Sequence, residues 1–144
     1  MTQALADPKD GAPCICGRLR RASRKLSRVY DEALQPIGLT ITQFSILRTL
    51  SGMSAPSLND LAEATAHEKS GLWRTLQPMI RSGWVVVVTA GGARRQTLAL
   101  TAEGTRKLMQ ALPLWRAAQG RVGDTLGDRN DRLISLLKEI EALV

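Results

Sequence analysis

Hydrophobic residues recur every three or four positions through most of the chain, which is the spacing of one face of an α-helix. From 13 to 37 this stripe lies opposite a strongly basic face, and Gly38 is placed to end the helix in a left-handed conformation. Two shorter helices follow, one from a T-x-x-Q capping box at Thr40 and one from Ser57 with Asp60 three residues on. After a brief turn around Ala66–His67, a fourth helix is predicted in "EKSGLWRTLQPMIRSGW" and is closed by Gly83.

After Gly83 the pattern changes to that of a β-hairpin. "WVVVVT" and "QTLALT" are typical of strands, and "AGGARR" between them is typical of a turn. Thr101 is predicted to cap a long helix that runs to about Gly123, and a last helix is predicted from Asp128. The apolar side chains that we expect this last helix to bury are Leu133, Leu136, Leu137, Ile140 and Val144. The order of elements predicts a mainly α fold with a small β-hairpin wing.

Two short helices joined by a tight turn and followed by a hairpin make a winged helix-turn-helix. In such a module the second helix enters the DNA major groove. Its core face is predicted to be Leu72, Leu76, Met79 and Ile80. Its outward side chains are predicted to be Lys69, Ser70, Trp73, Arg74 and Gln77. Pro78 is predicted to mark the end of the part of this helix that contacts DNA. Arg94 and Arg95 at the hairpin turn suit a minor groove or a phosphate strand. These seven residues are the candidate contacts to double-stranded DNA.

Composition and charge agree with such a partner. The 144 residues suit one domain, and 44% hydrophobic with 23% charged residues predicts a folded chain. The net charge of +7 favours an acidic partner, nucleic acid before a membrane surface or an anionic metabolite. The alternative is a charge that serves only solubility.

Several functions are disfavoured by what the sequence lacks. It has no apolar run long enough to span a membrane and no visible secretory signal, so we expect a cytoplasmic protein without membrane partners. No G-x-S-x-G, P-loop or H-E-x-x-H pattern is present, so neither an enzyme nor a cofactor is expected. His67 is the only histidine and has no partner at ligand spacing, so no metal site is expected.

The segments "SLNDLAEAT", "SGLWRTL", "RSGWV" and "RRQTLALTAEG" come in an order and spacing that resembles the MarR family of bacterial transcriptional regulators. The resemblance covers nearly the whole chain. It implies a homodimer with a winged helix-turn-helix DNA-binding domain at 40–101 and dimerisation helices at 13–37 and 102–144, after a flexible arm at 1–12. The implied function is sequence-specific binding to a pseudo-palindromic operator, as a repressor in our interpretation, with release by a small ligand or an oxidant.

Position by position, the resemblance places Ser70 and Arg74 where the recognition helix of the family touches DNA, and Arg95 on the wing arginine. Three positions depart from the family pattern. Ala93 replaces the usual wing aspartate, and Gly71 and Trp73 stand where small hydroxylated residues are common. The base preference is therefore not readable from the family.

Two inputs are compatible with the sequence. "CGRLRRASRKLSRVY" is similar to the peroxide-sensing branch of the family, which has a reactive cysteine at the place of Cys16 and a tyrosine at the place of Tyr30. A second tyrosine of that branch is replaced by Arg20, and the alternative is a structural cysteine. The other input is a small anionic or aromatic effector, bound where the dimerisation helices meet the winged domain. Its candidate ligands are Arg18, Arg20, Arg48, His67 and Trp115.

A winged helix can also serve as a dimerisation or protein-docking module without binding DNA. The outer face of its second helix then has no need of positive charge. Lys69, Arg74, Arg94 and Arg95 favour the DNA-binding interpretation over this alternative.

Overall fold

The computed structural model describes residues 13–89 and 95–144. Along the chain it forms α1 (Ile15–Leu34), α2 (Ile41–Ser51), α3 (Leu58–Thr65), α4 (Lys69–Arg81), β1 (Val85–Thr89), β2 (Gln96–Leu100), α5 (Ala102–Leu126) and α6 (Asn130–Glu141). Short 3-10 turns precede α2 and α6 at Gln35–Ile37 and Gly127–Arg129. The predicted fold class, mainly helical with an antiparallel hairpin wing, is confirmed. The predicted arm at 1–12 and most of the predicted turn, including Ala93 and Arg94, lie outside the described residues.

The helix starts follow from side chains close in sequence. Thr40 and Gln43 form a reciprocal capping box at the start of α2, as predicted. Ser57 and Asp60 form a second one at the start of α3, where the Ser57 amide donates to the Asp60 carboxylate over 3.0 Å. Gly38 has a φ of 70°, which is the left-handed conformation expected of it. These caps satisfy amide groups that the first turn of each helix leaves free.

The wing is a two-stranded antiparallel hairpin tied to the body at its root. Val85 pairs with Leu100 at the root and Thr89 with Gln96 at the outer end. The Leu98 amide donates to the Pro56 carbonyl in the loop between α2 and α3 over 2.8 Å. Val85 and Leu98 are buried, so the hairpin shares the core of the helical domain.

The core is aliphatic around one phenylalanine. It lies between α2, α3, α4, the wing root and the first half of α5. Its fully buried large side chains are Phe44, Leu34, Ile46, Leu47, Leu61, Leu72, Leu76, Met79 and Val85. This core holds α4 firmly on its inner side.

The expected burial of the α6 stripe is wrong for a single subunit. Leu133 and Leu137 are half-buried, while Leu136, Ile140 and Val144 are exposed, and α6 has no buried residue. On α1 only Leu34 is buried although the helix is strongly amphipathic. The periodicity correctly indicated which faces of α1 and α6 are apolar, but a single chain does not cover these faces. No helix in the two described ranges has both the length and the apolar character needed to cross a membrane.

Candidate nucleic-acid interface

A three-residue turn joins α3 to α4. Ala66 has a φ of 54°, in the left-handed region, and the His67 amide donates to the Ala62 carbonyl over 2.9 Å. These features end α3 and redirect the chain into α4 at Lys69. The pair α3–α4 is therefore a helix-turn-helix, with the exposed His67 in its turn.

The two faces of α4 differ as the sequence predicts. Leu72, Leu76 and Met79 are fully buried on its inner side. On the outer side Lys69, Ser70 and Arg74 are exposed and Gln77 is half-buried. The helix continues through Pro78 to Arg81. Because the inner side chains are packed in the core, the outer ones project from a rigid base.

Trp73 is exposed, as predicted, with 40% of its side chain accessible, but its position on α4 is turned by about 100° from that of Arg74. It lines an open groove of about 270 Å³ together with Leu58 of α3 and the wing residues Val87, Gln96, Thr97 and Leu98. The tryptophan thus lies between the recognition helix and the wing.

Arg95 is exposed immediately before β2. The pKa of the Asp60 carboxyl is lowered, first by hydrogen bonds from the backbone and side chain of Ser57 and then by the positive charge of Arg95. The local Ser57–Asp60 cap was predictable from the sequence, whereas the effect of the Arg95 charge on the pKa of Asp60 was not.

The five candidate effector ligands are only partly brought together. The Arg48 guanidinium lies 4.6 Å from the centroid of the Trp115 ring, which stacks on Phe44 with 5.5 Å between centroids. Arg20 lines a shallow groove along one side of α1, and Arg18 is exposed on the same helix. His67 lies in the turn between α3 and α4. Among residues 13–89 and 95–144 no three potential ligands of the His, Cys, Asp and Glu types are grouped for a metal ion.

Cys16 and Tyr30 are not neighbours within one chain. Both lie on α1, and their separation of fourteen residues corresponds to about 21 Å along the helix axis. The Tyr30 hydroxyl donates instead to the side-chain carbonyl of Gln119 on α5, and burial raises the pKa of the phenol. Cys14 and Cys16 are exposed free thiols, and the sulfur of Cys14 caps α1 by accepting from the Gly17 amide over 3.4 Å. A phenol can reach Cys16 only from a second subunit.

A helix-turn-helix with a basic outer face, followed at once by a hairpin that carries an arginine, defines a winged-helix DNA-binding protein. The sequence profile described as the MarR family matches residues 37–96, from the end of the 3-10 turn after α1 to the start of β2. The chain belongs to the MarR family of DNA-binding transcriptional regulators.

Solved structures support this assignment. The transcriptional regulator MosR of M. tuberculosis, in complex with DNA, is 38% identical over 92% of this chain and 100% of that one, with a TM-score of 0.76. A cysteine-to-serine mutant of MarR from E. coli, complexed with operator DNA, is 25% identical over 86% of this chain and 91% of that one, with a TM-score of 0.77. The transcriptional repressor CouR, bound to a 23-mer DNA duplex, is 24% identical over 89% and 92% of the two chains, with a TM-score of 0.82, and supports the fold alone. No curated protein sequence matches the chain.

Proposed function

We propose that the protein represses transcription as a homodimer on a pseudo-palindromic operator, and that a small ligand or an oxidant releases it. Residues 40–101 serve as the DNA-binding domain, and 13–37 with 102–144 as the dimerisation helices. The observation that carries the proposal is the rigid, basic outer face of α4, where exposed Ser70 and Arg74 stand opposite fully buried Leu72 and Leu76. MosR, which is 38% identical to this chain, has itself been solved with DNA.

Each outer side chain of α4 has a role that fits its chemistry. Arg74 can donate two hydrogen bonds to O6 and N7 of guanine, and Gln77 can pair with an adenine edge. Ser70 and Lys69 at the start of the helix suit phosphates or base edges. Arg95 on the wing suits the phosphate backbone or the minor groove. Arg94 remains a proposed contact of the same kind, outside the described residues.

The test is a comparison of operator and unrelated duplex across a range of salt concentrations. Arg74→Ala is expected to lose operator preference by the equivalent of about 1–3 kcal/mol, because a base contact is removed. Arg95→Ala is expected to weaken both duplexes alike and to reduce the salt slope. The matched control is Arg81→Ala, since Arg81 is also exposed on α4 but lies beyond Pro78. Equal effects of Arg74→Ala and Arg81→Ala would contradict this assignment.

Dimerisation is supported by the uncovered apolar surface. Ile134, Leu136 and Ile140 on α6 are each about two-fifths exposed or more, at 42%, 47% and 39%. Two apolar cavities are open in a single chain, one of about 390 Å³ between α1, α5 and α6 and one of about 340 Å³ between α1 and α6. A contiguous apolar patch of this kind marks a protein interface. A second copy that presents the same helices is the occupant that a two-fold operator requires.

Leu136→Glu is expected to place a charge in this interface and to convert the dimer to a monomer in sedimentation equilibrium. Lys138→Glu, two residues on in the same helix and exposed, is the matched control and should leave the dimer intact. If Leu136→Glu sediments as the wild type does, α6 is not in the interface.

The spacing of the operator half-sites provides a separate test of the homodimer. A 5-base-pair insertion between half-sites is expected to abolish tight binding, because it rotates one half-site by about half a helical turn.

The charge distribution supports a role for α1 in attracting DNA. Residues 15–34 contain six basic and two acidic side chains, against six and three in the whole of 40–101. The first helix therefore has a higher net positive charge than the proposed DNA-binding domain. Exposed charge of one sign raises the association rate with a polyanion without conferring sequence preference.

An effector is proposed to bind at Arg48 and Trp115. The guanidinium over the indole places a cation beside an aromatic ring at the junction of α2 and α5, where the ring also stacks on Phe44. Such a pair suits an aromatic acid, and one solved structure of CouR contains p-coumaroyl-CoA. A thermal-shift series of aromatic acids tests this with Arg48→Met, which is expected to remove the shift. A shift unchanged in Arg48→Met would place the ligand elsewhere.

The second proposed input is oxidation of Cys16. An organic hydroperoxide would transfer one oxygen to the thiolate and leave as an alcohol, and the sulfenic acid would then condense with a second thiol and release water. E. coli MarR has been solved in an oxidised form. Operator release by hydroperoxide is expected to vanish in Cys16→Ser and to persist in the control Cys14→Ser, which retains a helix-capping side chain. Release that persists in Cys16→Ser eliminates this input.

The docking alternative makes the opposite prediction for DNA. A module that only binds protein would bind duplex weakly and without the steep salt dependence expected of several phosphate contacts. Salt-insensitive or absent binding by the wild type would therefore favour it. No catalytic step is assigned to the protein under either function.

A further inference from the structure

Trp73 occupies a place that neither base reading nor core packing explains. The side chain is 40% exposed, which is high for an indole that lies beside a hydrophobic core. The groove of about 270 Å³ beside it extends from α3 to the outer half of the wing. The indole is thus placed where the recognition helix and the wing face each other.

Helix geometry explains why the indole points sideways. Successive residues of an α-helix advance by about 100°. Trp73 is therefore about 100° from Leu72, which is fully buried, and about 100° from Arg74, which is exposed. A side chain in that position points neither directly at the core nor in the direction of Arg74. It points along the surface of the domain, towards β1 and β2.

Strand geometry identifies the part of the wing that Trp73 meets. Cross-strand partners lie on the same face of a hairpin, and faces alternate along each strand. The inner face consists of the pairs Val85–Leu100, Val87–Leu98 and Thr89–Gln96. Its outermost pair includes Gln96, which lines the groove together with Trp73 and directly follows Arg95.

The support of the wing differs between its root and its outer half. At the root, the Leu98 amide donates to the Pro56 carbonyl over 2.8 Å, and the Thr101 amide donates to the Trp84 carbonyl over 3.1 Å. Beyond Leu98 the inner face borders the open groove, and the indole of Trp73 lines the same groove. The position of Arg95 therefore depends on what fills this space.

We propose that Trp73 is a positioning residue that supports the outer half of the wing and so sets where Arg95 meets a DNA phosphate. Trp73 itself reads no base. This inference rests on the proposed DNA-binding function and assigns a different role to a residue that the sequence placed among the base contacts. Removal of the indole widens the groove, lets the wing tilt and weakens an interaction that is independent of sequence.

The test is a double-mutant cycle of Trp73→Ala and Arg95→Ala, measured on operator and unrelated duplex at several salt concentrations. Trp73→Ala is expected to weaken both duplexes alike, with the ratio of the two affinities changed by less than about twofold. The salt slope is expected to fall by about 0.9 for each phosphate that Arg95 no longer neutralises, or roughly two in a dimer. In the Arg95→Ala background Trp73→Ala is expected to have little further effect, because the arginine that it positions is already absent.

The opposite pattern overturns the inference. If Trp73→Ala lowers operator preference at an unchanged salt slope, and its effect adds to that of Arg95→Ala, the indole contacts a base directly. Trp73→Phe retains a ring in the groove and should restore most of the salt slope. If Trp73 only stabilised the fold, Trp73→Ala would lower the melting temperature, but it would not lower the salt slope while leaving the ratio of operator to unrelated-duplex affinity unchanged.

Two further controls keep the test decisive. If Trp73→Ala does not fold, Trp73→Leu takes its place in the cycle, with the same outcomes expected and the same outcome contradicting them. Wild-type protein that binds duplex without salt dependence overturns the proposed function and the inference together. Wild-type binding with an additive cycle overturns the inference alone.

Discussion

Gly104 is the position where α5 approaches the backbone of Trp84 too closely for any side chain. A Cβ atom at Gly104 would lie 2.0 Å from the carbonyl oxygen of Trp84 and 2.9 Å from its carbonyl carbon. Non-bonded heavy atoms meet at about 3.5 Å, so Gly104→Ala requires a displacement of roughly 1.5 Å. The obstructing atoms are backbone and cannot rotate away. The same carbonyl accepts the Thr101 amide, so the displacement strains the start of α5 and the wing root together.

The expected cost can be worked from these contacts. Overpacking of a buried site costs about 1–3 kcal/mol, and weakening the cap in which the Thr101 hydroxyl accepts the Gly104 amide adds about 1 kcal/mol. Alanine favours a helix over glycine by about 1 kcal/mol, which offsets part of this. We expect Gly104→Ala to lower the free energy of unfolding by about 1–3 kcal/mol. For a chain of this size that corresponds to a fall in melting temperature of roughly 3–12 °C.

Urea and thermal unfolding at one fixed protomer concentration measure this change, because the stability of a dimer depends on concentration. The matched control is Gly120→Ala on the same helix, where an added Cβ meets nothing within 4 Å. The control is expected to be unchanged or stabilised by up to about 1 kcal/mol. If Gly104→Ala unfolds at the same urea concentration as Gly120→Ala, the contact with the Trp84 backbone does not limit the side chain at position 104.

Three further predictions concern helix ends and junctions. Ser57→Ala removes the cap of α3 and is expected to lower the free energy of unfolding by about 1 kcal/mol, as measured by urea unfolding. An unchanged urea midpoint would show that the cap does not stabilise the protein. The lowered pKa of the Asp60 carboxyl means that its contribution to stability is fully present above its unfolded value of 3.8 and is lost as pH falls through the lower folded value. The stability difference between wild type and Asp60→Asn should therefore shrink below pH 3.8, and a difference that stays constant well below that pH would disprove it. The Lys107 ammonium donates to the Ile37 carbonyl over 2.7 Å, so Lys107→Met should cost about 1–2 kcal/mol, whereas the exposed neighbour Arg106→Met should cost less than about 0.5 kcal/mol.

Features fixed by neighbours in sequence were predictable. Thr40 with Gln43 and Ser57 with Asp60 act across three residues, so the capping signals name their own partners. The left-handed Gly38 follows in the same way from the chemistry of the backbone. The helix order and the inner face of α4 follow from spacing alone, which is why the winged helix-turn-helix could be recognised before the structure.

Features fixed by distant contacts were not predictable. The sideways direction of Trp73 depends on where the wing folds back, and the bond from Tyr30 to Gln119 joins residues 89 positions apart. The stripe of α6 was correctly recognised as apolar, but periodicity cannot tell whether the covering surface belongs to the same chain. Gly104 gives no sign in the sequence that distinguishes it from Gly120.

The three tryptophans lie at three different junctions of the molecule. Trp73 borders the wing, Trp84 lies under the Lys107 ammonium at the wing root, and Trp115 lies against Arg48 between α2 and α5. The chain has one tyrosine and one phenylalanine besides, so its near-ultraviolet fluorescence comes almost entirely from these indoles. Replacing two of them by phenylalanine leaves one emitter at a known place. Wing movement, a shift at the start of α5 and the arrival of a ligand near Arg48 can therefore each be followed by intrinsic emission, without an attached dye.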